Sequence, residues 1–390
     1  MKVALIRQRY VPSGGAERQM AALAEALLRE GHEVHLFAHR WQEHPGIAFH
    51  RVPVIPGASF LRVLSFAFFS ARLVQEGGVD IVHSFDRTLF QDIYRAGDGC
   101  HKEWLIQRHR AFPWRRALDL VNPLHRSLLF LEGRLFAPGR CLRIIANSRM
   151  VKEEILRHYG FPADRIALVH NGVDLERFHP LNRERLRLQV RWALGLDSSD
   201  LVLLFVGSGF GRKGLKFLIE GAALVQERAE GQDLTILVAG KGNPRPYLNL
   251  AERLGLQGRL RFVGIWPRVE ELYAASDLFV LPTLYDPFAN TCLEAMASGL
   301  PVITTAQNGA SELIEEGRSG VIVKDPLDAV ELGEKLLELS EEERRRSMGE
   351  EARRIAERFP PSRYVRETMK LYQEVLEERR GISRRGASDR

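Results

Sequence analysis

Short apolar runs alternate along this chain with longer stretches whose apolar positions recur at helical spacing. The runs suit strands buried on both faces, the longer stretches suit amphipathic helices, and their alternation predicts βα units around parallel sheets. In the first half the pattern predicts strands at Val3–Ile6, Glu33–Ala38, Asp80–His83, Arg143–Ala146 and Ala167–His170. In the second it predicts Leu201–Val206, Leu234–Ala239, Leu260–Val263, Leu278–Leu281, Val302–Thr304 and Gly320–Val323. From Asn171 to Leu196 the periodicity fades into turn residues and charge, as expected of a hinge. The expected fold class is α/β, with two doubly wound, Rossmann-like domains at 1–172 and 173–361. A helix at 362–380 is expected to pack back on the first domain, and the polar stretch 381–390 to be a disordered tail.

Composition narrows the class. The 390 residues suit two domains, and 45% hydrophobic with 27% charged residues is a soluble, globular balance. The opening apolar run is too short for a signal peptide, and the most apolar segment, near Phe60 to Val74, carries Arg62 and Arg72, so neither a leader nor a membrane span is expected. Cys100, Cys141 and Cys292 are odd in number and far apart, which suggests neither a disulfide framework nor a zinc motif and fits a reducing cytoplasm.

The net charge of +6 is concentrated. Between His101 and Arg140 eight Lys and Arg residues face three carboxylates, interleaved with Trp104, Phe112, Trp114, the run 128–131 and Phe136. Basic stretches with aromatic residues suit the interface of an anionic membrane; nucleic acid and a plain solvated helical surface are the other readings. The membrane reading selects His101, Lys102, Trp104, Arg108, Arg110, Trp114, Arg115 and Arg116.

Three motifs carry candidate chemistry. Gly14-Gly15 follows the first strand, where a glycine pair at a helix start lets backbone N–H groups approach an anion, although a plain tight turn has the same signature. Gly207-Ser208-Gly209-Phe210-Gly211-Arg212-Lys213-Gly214 imitates a dinucleotide fingerprint, but its sixth position is Arg212 and the next strand ends at Ala239-Gly240-Lys241 without a ribose-binding acid. A diphosphate held by adjacent Arg212 and Lys213 fits it better. In Asp286-Pro287-Phe288-Ala289-Asn290-Thr291-Cys292-Leu293-Glu294, a helix beginning near Asn290-Thr291 places Asp286 in the preceding loop and Glu294 one turn inside. Carboxylates so placed can accept hydrogen bonds from sugar hydroxyls.

Together with Glu30-Gly31-His32-Glu33-Val34 and Asn171-Gly172-Val173-Asp174, these motifs stand in an order that resembles the retaining glycosyltransferases of family four, with the two-domain GT-B fold. Within that family Phe205 to Gly214, the opening strand with Tyr10, Pro12, Gly14 and Gly15, and Arg95 to Cys100 are especially similar to the lipopolysaccharide core enzymes that add glucose to heptose. The resemblance implies domains facing across a cleft and a nucleoside-diphosphate sugar, UDP-glucose, as donor substrate, with no further cofactor. It implies that Arg212 and Lys213 hold the diphosphate, Glu294 the ribose and Asp286 the sugar, with Gly207, Phe288, Ala289, Asn290 and Thr291 also in the donor site. Gly14 and Gly15 would border the phosphates, and Asp98 would lie nearest the reacting centre. The implied acceptor is lipid-linked, the implied location the inner face of the cytoplasmic membrane, and nucleic acid is not an expected partner. No Asp-x-Asp occurs, so a bound metal is not expected.

Two positions depart from the family pattern: Asp286 replaces the usual first glutamate, one methylene shorter, and Ala289 replaces the usual glycine. Both bear on which sugar is accepted. A nucleotide-sugar epimerase and a non-catalytic sugar-nucleotide binder of the same fold remain as alternatives.

Overall fold

The computed structural model describes residues 1–9, 15–41, 44–228 and 233–388. The chain forms two compact units, Met1–Gly172 with Pro361–Arg390, and Val173–Pro360. Unit 1 holds a seven-stranded sheet of β1 (Lys2–Ile6), β2 (Glu33–Ala38), β3 (Ile47–Arg51), β4 (Ile81–Ser84), β5 (Ile93–Arg95), β6 (Arg143–Ala146) and β7 (Ile166–Leu168). Its order is β3-β2-β1-β4-β5-β6-β7, with every pairing parallel. Unit 2 repeats the plan with β8 (Leu201–Val206), β9 (Leu234–Ala239), β10 (Leu260–Gly264), β11 (Leu278–Leu281), β12 (Val302–Thr305) and β13 (Gly320–Val323), in the order β10-β9-β8-β11-β12-β13. In each sheet the order reverses beside the first strand, between β1 and β4 and between β8 and β11. Crevices beyond the carboxyl ends of strands open at such switch points.

The central strands are almost wholly buried, as largely apolar runs require when helices cover both faces, with His83, Ser84 and Thr235 as buried polar exceptions. Two strands escape the hydrophobic pattern. β3 lies at the sheet edge with most of its residues at least partly exposed, so it lacks a buried apolar run. β5 is three residues long and includes Arg95, a buried arginine that hydropathy reads as surface. Its guanidinium lies between the rings of Phe85 and Tyr364, 5.7 Å from each centroid, and donates to Asn171 Oδ1 at 2.5 Å.

The expected hinge holds a helix, Leu181–Ala193, inside unit 2. Apolar periodicity fades there because arginines anchor it: Arg183, Arg187 and Arg191, four residues apart and so on one face, reach Asp277 at 2.9, 2.7 and 2.6 Å. Burial pushes the Asp277 carboxyl up, but Arg187, the Val202 N–H bond and Arg191 outweigh it and hold it below its ordinary range.

The last helix, Pro361–Ser388, packs in unit 1 against the helix Gly15–Arg29. Tyr364, Met369, Leu371, Tyr372 and Val375 join the core beneath β1, and the Tyr372 hydroxyl lies 2.7 Å from His83 Nδ1. Helical backbone continues through the stretch from Gly381 expected to be disordered, ending at Ser388. Once a helix is nucleated each added residue gains a bond for one fixed backbone pair, so a polar extension can follow a docked segment. Asp389 and Arg390 lie outside the described residues.

Candidate functional site

In unit 2 the glycine-rich loop leaves β8 at Gly207 and returns against the exit of β11. Gly214, at φ +79°, has no room for a side chain, since a Cβ there would collide with the carbonyl oxygen of Pro282. Leu284 N–H and Thr283 Oγ1–H both donate to the Arg212 carbonyl, at 2.9 and 3.1 Å, and fasten the two loops across the switch point. That fastening brings the two basic residues to the acidic motif. Lys213 Nζ pairs with Asp286 Oδ2, and Arg212 Nη1 lies 3.5 Å from the same oxygen while donating to the Tyr285 carbonyl at 3.1 Å.

Lys213 and Asp286 are both buried. Burial pushes the Asp286 carboxyl up, and Lys213 with Arg212 overcomes it, holding the group ionised below its ordinary range. The Asp286 loop is rigid on its other side as well. Asp286 N–H donates to the Gln307 carbonyl at 2.9 Å, Gly309 N–H donates to the Asp286 carbonyl at 2.8 Å, and Asp286 Oδ1 accepts Phe288 N–H at 3.1 Å. Asn308, fully buried, accepts from the N–H groups of Ala289 and Ala310 at 3.1 Å each.

The helix Asn290–Ala297 begins with no side-chain cap, because Ala289 stands at the capping position. The positive end of its dipole favours an anion there. Phe288 and Ala289 are buried, Asn290 and Thr291 half-buried. One turn inside, buried Glu294 accepts the Tyr273 hydroxyl at 3.0 Å. Two cations, a helix start and two carboxylates thus stand around the exits of β8 and β11, a set able to bind a diphosphate and hydroxyl groups together.

Unit 1 places its own charges at the equivalent switch point. Arg7, just after β1, donates to the Phe85 carbonyl at 3.0 Å and lies 3.1 Å from Glu17, 3.2 Å from Asp86 and 3.9 Å from Asp98. Burial alone would lower the Arg7 pKa, but Asp86, Asp98 and Glu17 raise it instead, so the guanidinium stays charged. Asp98 is 52% exposed at its side chain, on a turn held by Arg87 Nη2, which donates to the Gly99 carbonyl at 2.8 Å. Gly15 opens the helix Gly15–Arg29, and Gly14 lies outside the described residues.

With this geometry in place, comparison with known proteins decides the family. Residues 13–177 match the family described as Glycosyltransferase Family 4, and residues 187–355 that described as Glycosyl transferases group 1. The chain is 28% identical to lipopolysaccharide glucosyltransferase WaaG of Escherichia coli K12, covering 92% of this chain and 94% of that one. It is 32% identical to D-inositol 3-phosphate glycosyltransferase 2 of Catenulispora acidiphila, covering 72% and 69%. The crystal structure of WaaG superposes with a TM-score of 0.81 at 26% identity, over 93% of this chain and 98% of that one.

The chain belongs to the family-four glycosyltransferases of group 1.

In this glycosyltransferase the basic segment folds as three helices, His101–Ala111, Arg115–Val121 and Pro123–Leu135. The structure corrects two of its expected surface residues. His101 is buried, its Nε2 3.0 Å from His125 Nδ1, and its N–H donates to Glu132 at 2.5 Å. Arg108 turns inward to buried Asp119 at 3.1 Å. Both corrections have one cause: Glu103, Asp119 and Glu132 are the segment's buried carboxylates, and each draws a cation, a histidine or an N–H group inward. Lys102, Arg110 and Arg116 stay exposed, Arg115 lies over the Trp114 ring at 4.4 Å, and Trp104 is half-buried. Trp114 is 63% exposed, and Leu118, Leu120, Val121 and Phe130 are exposed with it. Among the described residues no helix is long and apolar enough to cross a membrane.

Sequence reasoning passed over Arg7, Asn308 and Tyr273. A lone arginine after a strand and an asparagine in a loop carry no motif; the one signal was position, since Arg7 directly follows β1 and Asn308 lies three residues past β12.

Proposed function

We propose that this glycosyltransferase moves glucose from UDP-glucose to a lipopolysaccharide core heptose or a similar lipid-linked saccharide, with retention at the anomeric carbon. The observation that carries the reading is the meeting of Arg212, Lys213 and Asp286 at the switch point of unit 2, beside an uncapped helix start. Similarity to a lipopolysaccharide glucosyltransferase along nearly the whole chain supports the choice of sugar and acceptor.

In this reading the diphosphate departs from the anomeric carbon as the acceptor oxygen bonds to the same face, and the leaving oxygen takes the acceptor's proton. Arg212, Lys213 and the helix-start N–H groups stabilise the charge that develops on the diphosphate, without a bound metal. Asp286 reads the sugar hydroxyls and Glu294 the ribose. Asp98, exposed in unit 1 beside Arg7, orients the acceptor hydroxyl or assists its deprotonation. The enzyme works as a peripheral protein on the inner face of the cytoplasmic membrane, where Trp114, Leu118, Leu120 and Val121 enter the interface and Lys102, Arg110, Arg115 and Arg116 meet anionic headgroups.

Incubation with a panel of nucleotide sugars, monitoring release of the nucleoside diphosphate, tests the donor. UDP-glucose is expected to turn over slowly in water and faster with lipopolysaccharide-core acceptor. Binding without release would favour a non-catalytic binder, and an epimeric sugar nucleotide as product would favour an epimerase. Flotation with phosphatidylglycerol vesicles tests the docking face, and Trp114→Ser is expected to weaken it.

A further inference from the structure

Arg87 follows β4 of unit 1 and Asp98 follows β5, so each leaves the carboxyl end of a strand beside the switch point. Their surroundings differ. The Asp98 side chain is 52% exposed, whereas that of Arg87 is 10% exposed. Asp98 stands in the turn 96–99, which Gly99 closes at φ +64° by donating its N–H to the Ala96 carbonyl at 3.2 Å. Arginines grip this turn from both sides. A Cβ at Gly97 would collide with the Arg95 guanidinium, itself set by Asn171 and the rings of Phe85 and Tyr364, and the Gly99 carbonyl accepts from Arg87 Nη2 at 2.8 Å.

Arg87 is fixed in turn by Glu132 of the helix Pro123–Leu135, its Nε donating to Oε1 at 2.9 Å. Glu132 is fully buried and receives more than the arginine. It accepts the N–H groups of His101 at 2.5 Å and Lys102 at 3.3 Å and the Tyr159 hydroxyl at 2.6 Å. The helix His101–Ala111, which leaves the turn at once, has no side-chain cap from Cys100, so a carboxylate from another helix satisfies its first N–H groups. Burial alone would lower the Arg87 pKa, but Tyr94, Glu132 and Asp98 raise it, so the guanidinium stays charged. A buried ion pair adds little stability over apolar residues of the same volume. What this pair contributes is position, because the planar fork of a guanidinium holds the Glu132 carboxylate and the Gly99 carbonyl at the same time.

We propose that Arg87, held by Glu132, is a positioning residue for glycosyl transfer: it fixes the turn that presents the Asp98 carboxylate to the acceptor hydroxyl. This assignment rests on the acceptor-side role of Asp98 read above and names what sets that carboxylate in place.

The test compares Arg87→Met, Asp98→Asn and the double variant in two assays, UDP release from UDP-glucose in water and transfer to lipopolysaccharide-core acceptor, with thermal unfolding reporting the folded fraction. Arg87→Met is expected to lower kcat for transfer roughly 10- to 100-fold, the cost of a slightly displaced group, while UDP release in water and the KM for UDP-glucose stay unchanged. On the Asp98→Asn background it is expected to cost no further transfer, since the two residues act as a unit. Arg87→Met combined with Glu132→Gln removes both buried charges and leaves an amide oxygen for the His101 N–H; this second variant is expected to show the same selective loss if Arg87→Met alone does not fold. Full transfer by a folded Arg87 variant, equal losses of transfer and UDP release, or a loss that multiplies with that of Asp98→Asn overturns the proposal and leaves the role of Asp98 standing. Full transfer by Asp98→Asn, or none by the intact enzyme, overturns both.

Discussion

Lys213→Met tests the central pair of the proposed donor site. Lys213 is the closest cation to the buried Asp286 carboxylate, and Arg212, at 3.5 Å and 38% exposed, is the second. Removing one member of a buried pair costs about 3–5 kcal/mol when nothing compensates. Because Arg212 remains, a loss of about 2–3 kcal/mol is expected, or a fall in Tm of roughly 4–10 °C for a unit of this size. Asp286→Asn is expected to cost a similar amount by leaving the ammonium buried beside a neutral amide, and the double variant less than the sum, with a coupling of about 1–3 kcal/mol.

Activity is expected to suffer more than stability. Loss of one charge-stabilising donor at a leaving diphosphate lowers turnover by about 10²–10³. The sign with pH follows from the direction of the Asp286 shift: its carboxyl is held below the ordinary range, so its stabilisation is present above the unfolded pKa and is lost as pH falls through the folded one. Without Lys213 the buried carboxyl moves up, and acid unfolding should begin at higher pH. Urea denaturation against pH and UDP release at a temperature where the variant is fully folded measure both effects. A Lys213→Met enzyme within threefold of wild-type turnover, with no coupling to Asp286→Asn, would refute the assignment.

Gly214→Ala is expected to destabilise by about 3 kcal/mol, because φ +79° disfavours a side chain and a Cβ meets the Pro282 carbonyl; calorimetry of the variant checks it. Asp277→Asn leaves Arg191 buried with a neutral partner and is expected to cost about 3–5 kcal/mol, read by urea titration, with little change in donor binding by the folded protein. His83 is fully buried and pushed down to about 3, chiefly by that burial and then by Arg95, so the unfolded chain takes up a proton below its ordinary pKa of 6.5 that the folded chain refuses. Stability should therefore decline as pH falls from 6.5 toward 3, and His83→Phe should flatten that part of the profile.

The parallel sheets were legible because most of their strands are buried on both faces and read as largely apolar runs; β2, β6, β8, β9, β11 and β13 have the expected bounds. What escaped was structure organised by charge. Arg95 hides a strand, the arginines of 181–193 hide a helix, and Arg7 gathers Glu17, Asp86 and Asp98 without a motif to announce it. A buried arginine is acceptable only where acceptors or ring faces receive its donors, and that condition is met by residues distant in sequence: Arg95 by Asn171 and Tyr364, Arg191 by Asp277. The glycine loop and the Asp286 segment were legible as separate motifs, whereas their meeting depends on the switch-point order of the sheet.

Two buried carboxylates of unit 2 show how a structural ion cluster differs from a poised site. Both are ionised against their burial by neighbouring cations. At Asp277 the cations are committed elsewhere as well: Arg183 to the Ser276 carbonyl at 2.6 Å, Arg187 to the same carbonyl at 3.2 Å, and Arg191 to Ala275 and Asp197 at 2.8 and 2.9 Å. No arriving anion could draw those arginines off without also breaking bonds to backbone that ends one helix and begins β11. Lys213 is a flexible ammonium paired with Asp286, and Arg212 adds one bond, to Tyr285. In the proposed reading these cations turn to the diphosphate without breaking the backbone bonds of an element, and the same turn frees Asp286 oxygens to accept hydroxyl hydrogen bonds. Donor charge and sugar recognition are thereby coupled, in that reading, through this one ion pair.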